Sequence, residues 1–244
     1  MGYASALLVE CFYWLVRGRS RKQPVKMPTI AEQMMQIGIG AIPITSILSF
    51  TIGLMLAIQG IHTLRTFGAE SQVVLGIALS VTREFAPLIV GILIAGRTGS
   101  ALAARVGTMT VSQEIDALRV IGVSPIRYMV APVLLSMIIM VPLLTFYADI
   151  VSMLGGAFYV YHELGLSLEA YAVQTRDFLS VNDITQGLMK SVVFSIIITL
   201  VGFINGFSVK EGAEGVGKAT TRSVVQGISY IIIADMIFTY FFNK

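Results

Sequence analysis

Gln33-Met-Met-Gln-Ile-Gly-Ile-Gly-Ala-Ile-Pro-Ile-Thr-Ser-Ile-Leu-Ser-Phe-Thr-Ile-Gly-Leu-Met-Leu-Ala-Ile-Gln-Gly-Ile-His-Thr-Leu64 contains no Asp, Glu, Lys or Arg. A helix needs roughly 20 apolar residues to cross the hydrocarbon of a bilayer. This stretch is long enough, and it is not alone. Similar runs cover about residues 71–96, 128–150, 184–209 and 223–242. The chain has 244 residues, 55% hydrophobic and 13% charged. Soluble domains carry about 25% charged residues, and a soluble fold of this size could not hide the apolar excess. The expected fold is an all-α integral membrane protein with five transmembrane helices.

Residues 3–16 are too short to span and carry Glu10 among Phe12, Tyr13 and Trp14. They predict an interfacial helix with its aromatics at headgroup level. The positives Arg17, Arg19, Arg21, Lys22 and Lys26 follow it, the reverse of a secretory signal. Residues 1–32 therefore form an interfacial segment, and 33–244 a five-span domain. With the N-terminus in the cytoplasm, 12 Lys and Arg fall in inner segments and three outside (Arg65, Arg176, Lys244). That bias satisfies the positive-inside rule and puts the C-terminus outside. The net charge of +3 is thus orientation rather than a nucleic-acid signal. Cys11 is the single cysteine, so no internal disulfide can form.

The residues that interrupt the apolar runs carry the chemistry. Arg83 and Glu84 sit near the middle of the second run, Lys190 in the fourth and Asp235 in the fifth. Each charge at that depth costs about 2.5–3.5 kcal/mol on insertion scales. They must face a protein interior or a wet cavity. Pro87 lacks an N–H and frees the carbonyl of Arg83, so the helix is expected to kink there. The expected pairs are Glu84 with Lys190 and Arg83 with Asp235. Such a network either fixes packing or lines a substrate cavity. Gly202 with Gly206, and Gly99 with Ala103, permit close helix contact, within the chain or in a dimer.

The connection 97–127 is expected to be cytoplasmic. Within it, 112–120 predicts a short helix with Ile115 and Leu118 on one face and Glu114, Asp116 and Arg119 in water. Gly122-Val-Ser-Pro125 stops it. A helix so placed is a docking surface for a partner. Gly212-Ala-Glu-Gly-Val-Gly-Lys218 imitates a phosphate-binding loop, but Ala219 stands where a magnesium-binding Ser or Thr is needed. His62 and His162 are isolated, so no metal cluster is expected.

Residues 83–109, from Arg83-Glu-Phe-Ala-Pro through Ala95-Gly-Arg-Thr-Gly-Ser-Ala, resemble the core of the MlaE permease family. So do Glu114-Ile-Asp-Ala-Leu-Arg119, Lys190-Ser-Val-Val-Phe194, Ala219-Thr-Thr-Arg-Ser223 and Asp235. The resemblance implies the membrane subunit of an ABC transporter that moves phospholipid or related lipid between the bacterial inner membrane and the outer envelope. It implies a homodimer, a cytoplasmic ABC ATPase that holds the ATP and magnesium, and a periplasmic MCE lipid-shuttling protein. It implies no enzyme activity or cofactor in this chain. It also implies a coupling helix at about 112–121, with Glu114, Asp116, Leu118 and Arg119 at the ATPase, and a lipid pocket at Leu54, Ile58, Gln59, Ile61, Arg83 and Glu84. From the residues alone, an ion-coupled secondary transporter with Glu84 or Asp235 as proton site is the alternative. A lipid-acting enzyme lacks a legible nucleophile and base, and a scaffold would need no buried charges.

Overall fold

A computed structural model describes residues 2–17, 27–210 and 212–242. The basic run Arg19, Arg21, Lys22 and Lys26, and Lys244, lie outside these. The described residues are helical with no strand. The helices are α1 (Gly2–Arg17), α2 (Met27–Gly38), α3 (Ile42–Arg65), α4 (Val73–Ser80), α5 (Ala86–Ile94), α6 (Ser100–Val111), α7 (Glu114–Val120), α8 (Ala131–Leu164), α9 (Leu168–Phe178), α10 (Val181–Phe207) and α11 (Gly212–Phe242). Wide π turns at Val81–Phe85, Ala95–Gly99 and Ile126–Val130 join α4 to α5, join α5 to α6, and lead into α8. Among the described residues, five helical runs are long and apolar enough to cross a membrane: Met27–Arg65, Glu70–Val111, Ile126–Leu164, Val181–Phe207 and Gly212–Phe242.

These runs correct several expected boundaries. The second does not end at Gly96. It continues through α6, so Arg97 and Arg105 are helical rather than loop residues, and the connection shrinks to 112–125. The third extends to Leu164, with Pro142 inside α8. The stretch between the third and fourth runs contains α9. The imitation phosphate loop at 212–218 is the start of α11, where Lys218 pairs with Glu214 one turn away.

The chain divides into two compact units. The first comprises residues 1–40, 91–141 and 192–234. Small residues build its seam. A Cβ on Gly202 would lie 3.2 Å from the Gly99 carbonyl oxygen, and one on Gly206 would lie 3.1 Å from that of Ala103. The small-residue pairs therefore seat α10 on α6 within the chain, the close backbone approach such spacing allows. Ser223 Oγ donates to the Gly99 carbonyl at 3.2 Å, and Asn205 Nδ2 donates to Gln226 Oε1 at 2.9 Å. These bonds satisfy polar groups that hydrocarbon would leave stranded.

In the same unit α1 packs on the turn that opens α8. Leu7 and Cys11, four residues apart on one face, are buried, and the Arg127 guanidinium lies 5.5 Å from the centre of the Trp14 ring. Burial, with Glu10 beside it, pushes the Cys11 thiol up to about 12. The thiolate is the reactive form, so Cys11 is protonated and shielded at pH 8. The folded protein is expected to label slowly with maleimide in detergent, and to label fully after unfolding in dodecyl sulfate. Fast labelling of the folded form, measured as mass shift over time, would contradict the docking of α1.

The second unit comprises residues 41–90, 142–191 and 235–244. Thr45, Ser49, Gly53, Ala57 and Ile61 recur every fourth residue and form the inward stripe of α3, the spacing of one helix face. A Cβ on Gly53 would strike the carbonyl oxygen of Ser152, and one on Gly155 that of Phe50. The backbones of α3 and α8 thus meet without side chains between them. Ser46 Oγ and Tyr147 Oη share a hydrogen bond of 2.7 Å along the same contact. α4 packs on α3 and on α9.

Candidate functional site

The second unit gathers the interrupting charges. Pro87 has no N–H for the Arg83 carbonyl, and the helix widens just before it. The N–H of Ala86 bonds the Val81 carbonyl five residues back. Arg83 and Glu84 ride on this π turn, a local widening that frequently marks functional positions. Gly187 on α10 lets the turn approach, since a Cβ there would strike the Thr82 carbonyl oxygen.

Lys190 is the centre of the site. Its side chain is 2% exposed. The ammonium donates to Glu84 Oε2 at 2.7 Å and to Thr239 Oγ1 at 2.9 Å. It also lies 3.0 Å from Asp235 Oδ1, near enough for charge pairing but too oblique for a hydrogen bond. Thr239 in turn donates to the Glu84 carboxylate, 3.0 and 3.1 Å from its two oxygens. Glu84 and Lys190 therefore pair as expected. Asp235 does not meet Arg83. It joins Lys190, because both acids converge on the one ammonium.

Arg83 turns instead to Asp183, at the start of α10. Its Nε donates to Asp183 Oδ1 at 2.8 Å. Asp183 is itself built into the helix start: Oδ2 accepts from the Ser180 N–H at 2.9 Å and from Ser180 Oγ at 2.7 Å. The Asp183 N–H donates back to Ser180 Oγ at 3.3 Å. This is the reciprocal bonding of a capping box. The pattern Ser180-x-x-Asp183 just before the fourth apolar run is the sequence signal for it. Arg83 lies only 13 residues from the Glu70 that opens its span, not at mid-span, so a partner at the mouth of α10 is within reach. Lys190 occupies both Glu84 and Asp235, leaving neither as a free acid.

Of the expected lipid-pocket residues, Ile58 and Gln59 are exposed on α3 and Leu54 is half-buried beside them. Ile61 is 2% exposed and belongs to the inward stripe, where it is packed against the protein. A buried carboxylate unnoticed in the sequence, Asp149 on α8, is 5% exposed with Oδ1 unpartnered. Thr45 and Ser49 on the inward stripe of α3 also carry unpartnered hydroxyls.

In the first unit, α7 carries the residues expected to meet a partner. Ile115 anchors it and Leu118 is half-buried, while Glu114, Asp116 and Arg119 stand in solvent. Arg119 pairs with Asp116 at 3.0 Å, and Ser112 Oγ donates to Glu114 at 2.9 Å. Gly122, with φ of +79°, closes the helix: its N–H bonds the Arg119 carbonyl and the Val123 N–H that of Leu118. This paired closure needs a left-handed residue. Just beyond, Val120 is 86% exposed and Ile121 71%.

A family model described as Permease MlaE matches residues 30–241. The chain is 34% identical over 223 residues to a probable ABC transporter permease protein of Rickettsia prowazekii, which covers 91% of this chain and 86% of that protein. It is also 34% identical over 238 residues to a probable ABC transporter permease protein of Synechocystis, with 95% and 86% covered. Identity to the intermembrane phospholipid transport system permease protein MlaE of Haemophilus influenzae is 30% over 213 residues, with 87% and 82% covered.

Proposed function

The chain belongs to the MlaE permease family, and from that premise we propose that it is the membrane subunit of an ABC transporter for phospholipid or a related lipid. The observation that carries this is the extent of the match. It runs from α2 to the end of α11 and includes the charged cluster and α7. The bacterial inner membrane is the proposed location, with the N-terminus cytoplasmic and the C-terminus periplasmic. Two copies would form the transport unit and face an MCE lipid-shuttling protein in the periplasm.

ATP and magnesium belong to a separate cytoplasmic ATPase. Its dock is the α7 surface: Glu114, Asp116 and Arg119 supply charge, Leu118 and the exposed Val120 and Ile121 supply apolar contact. An interface of this make-up combines an apolar core with a polar rim. α6 and α7 pack together within one unit, so a push on α7 passes to α6. Leu54, Ile58 and Gln59 are the proposed lipid contacts on α3, with Arg83 and Glu84 as polar neighbours. A lipid that binds one conformation better than another biases the cycle by that difference.

The test is charge reversal on α7. Glu114→Lys combined with Asp116→Lys is expected to lower ATPase activity of the assembled complex about tenfold, since reversing interface charges costs on the order of 1–3 kcal/mol. Both side chains are exposed, so the free chain should keep its thermal midpoint. Unchanged ATPase activity would remove α7 from the dock. Loss of lipid transfer with intact ATPase activity would point to the α3 residues instead.

A further inference from the structure

Two clefts in the first unit adjoin. One, of about 150 Å³, is lined by Gln33 and Gln36 of α2 and by Arg97 and Arg105 of the second span. The other, of about 80 Å³, has apolar walls from Val106, Met129, Val133 and Phe203. Gln33, Leu102 and Arg105 line both, so the two share a wall.

Among the described residues, no acidic side chain lines either cleft. Arg105 makes no hydrogen bond or ion pair among the described residues. Arg97 reaches only backbone carbonyls, those of Ile37 and Gln36, each at 3.4 Å. A guanidinium carries five N–H donors, so most of its capacity is unused. Gly40 makes room for this side chain, because a Cβ there would strike Arg97 Nη2. Gln33 is 8% exposed, faces both clefts, and its amide has no partner among the described residues. The amide opens into the clefts beside two arginines without counter-charges, a donor set suited to an anionic acceptor. The apolar continuation indicates that the anion carries a hydrocarbon tail.

We propose that this groove holds an anionic phospholipid. The phosphate sits between Arg97, Arg105 and the Gln33 amide, and an acyl chain lies along Val106, Val133 and Phe203. Basic pockets between membrane helices bind lipid headgroups in this way, and arginine is suited to phosphate by its paired donors. The residues are distinct from the α3 positions and the Lys190 cluster of the second unit. The inference does not depend on the transport reading, because binding is measured on the chain without ATP or partners.

The experiment is native mass spectrometry of the purified chain in detergent with phosphatidylglycerol, diacylglycerol or inorganic phosphate. Wild type is expected to retain phosphatidylglycerol, with about tenfold weaker retention in Arg105→Glu. Arg105→Lys should keep most of the binding, because an ammonium still attracts phosphate as a point charge. Arg105 is exposed, so Arg105→Glu should fold. Should it fail to accumulate, Arg105→Gln is expected to show the same direction of loss. Equal retention by wild type and a folded charge-removing variant would overturn the proposal. So would retention of diacylglycerol as strong as that of phosphatidylglycerol, which would leave only an apolar groove. Displacement of the lipid by inorganic phosphate, with stabilisation equal to the lipid's, would assign the site to a soluble phosphate and overturn the lipid.

Discussion

Lys190→Met is expected to abolish accumulation of folded protein, the largest single-residue effect the structure implies. The ammonium faces Glu84 at 2.7 Å and Asp235 at 3.0 Å from a position 2% exposed. Methionine fills a similar volume but leaves two carboxylates facing each other without a cation. Removing one partner of a buried ion pair costs about 3–5 kcal/mol, a large share of a total stability of about 5–15 kcal/mol. Here both acids lose the same partner. The measurement is the yield of monodisperse protein in mild detergent and its thermal midpoint. Combining Lys190→Met with Glu84→Gln and Asp235→Asn removes all three charges and is expected to restore most of the yield. If the triple variant is no better than the single one, the defect is lost packing rather than stranded charge. A simple swap of Glu84→Lys with Lys190→Glu should rescue poorly, because the new glutamate would face Asp235.

Gly53→Leu is the second expected failure. A Cβ at this position meets the Ser152 carbonyl oxygen, and both sides of the contact are helix backbone that cannot rotate away. Overpacking a close-packed interior costs about 1–3 kcal/mol where side chains can adjust, the scale expected for Gly53→Ala. The leucine needs the two helices to part, so Ser46 and Tyr147 would also lose their shared bond. A thermal midpoint of Gly53→Leu equal to wild type would show that α3 and α8 do not approach in this way. Gly76 has no atom within 4 Å of an added Cβ, and Gly76→Ala should be harmless, which makes it the matched control.

The five spans were legible because runs free of charge, about 20 residues or longer, can be counted directly. Their ends were not. Arg97 and Arg105 look like loop residues by charge, yet the helix continues because its seam with α10 is set by Gly99, Ala103, Gly202 and Gly206. Hydropathy does not register that contact, although the small-residue spacing does. α7 was legible from its periodicity and from Gly122. Glu84 and Lys190 could be paired by elimination of charges inside the spans. Arg83 could not, because its partner Asp183 stands one residue before the apolar run 184–209 that hydropathy marks. Ile61 shows a different limit. A resemblance carries a position across, but only the four-residue stripe from Thr45 through Gly53 to Ile61 shows which way it points.

The Lys190 ammonium also limits how the second unit can move. Glu84 belongs to the second span, Lys190 to the fourth, and Asp235 and Thr239 to the fifth. At that level the three share one joint. A single span that slid along its axis by even one residue would drag an unmatched charge against hydrocarbon. Sliding is therefore a concerted displacement of three rods or none, and rotation about the shared joint is the softer mode.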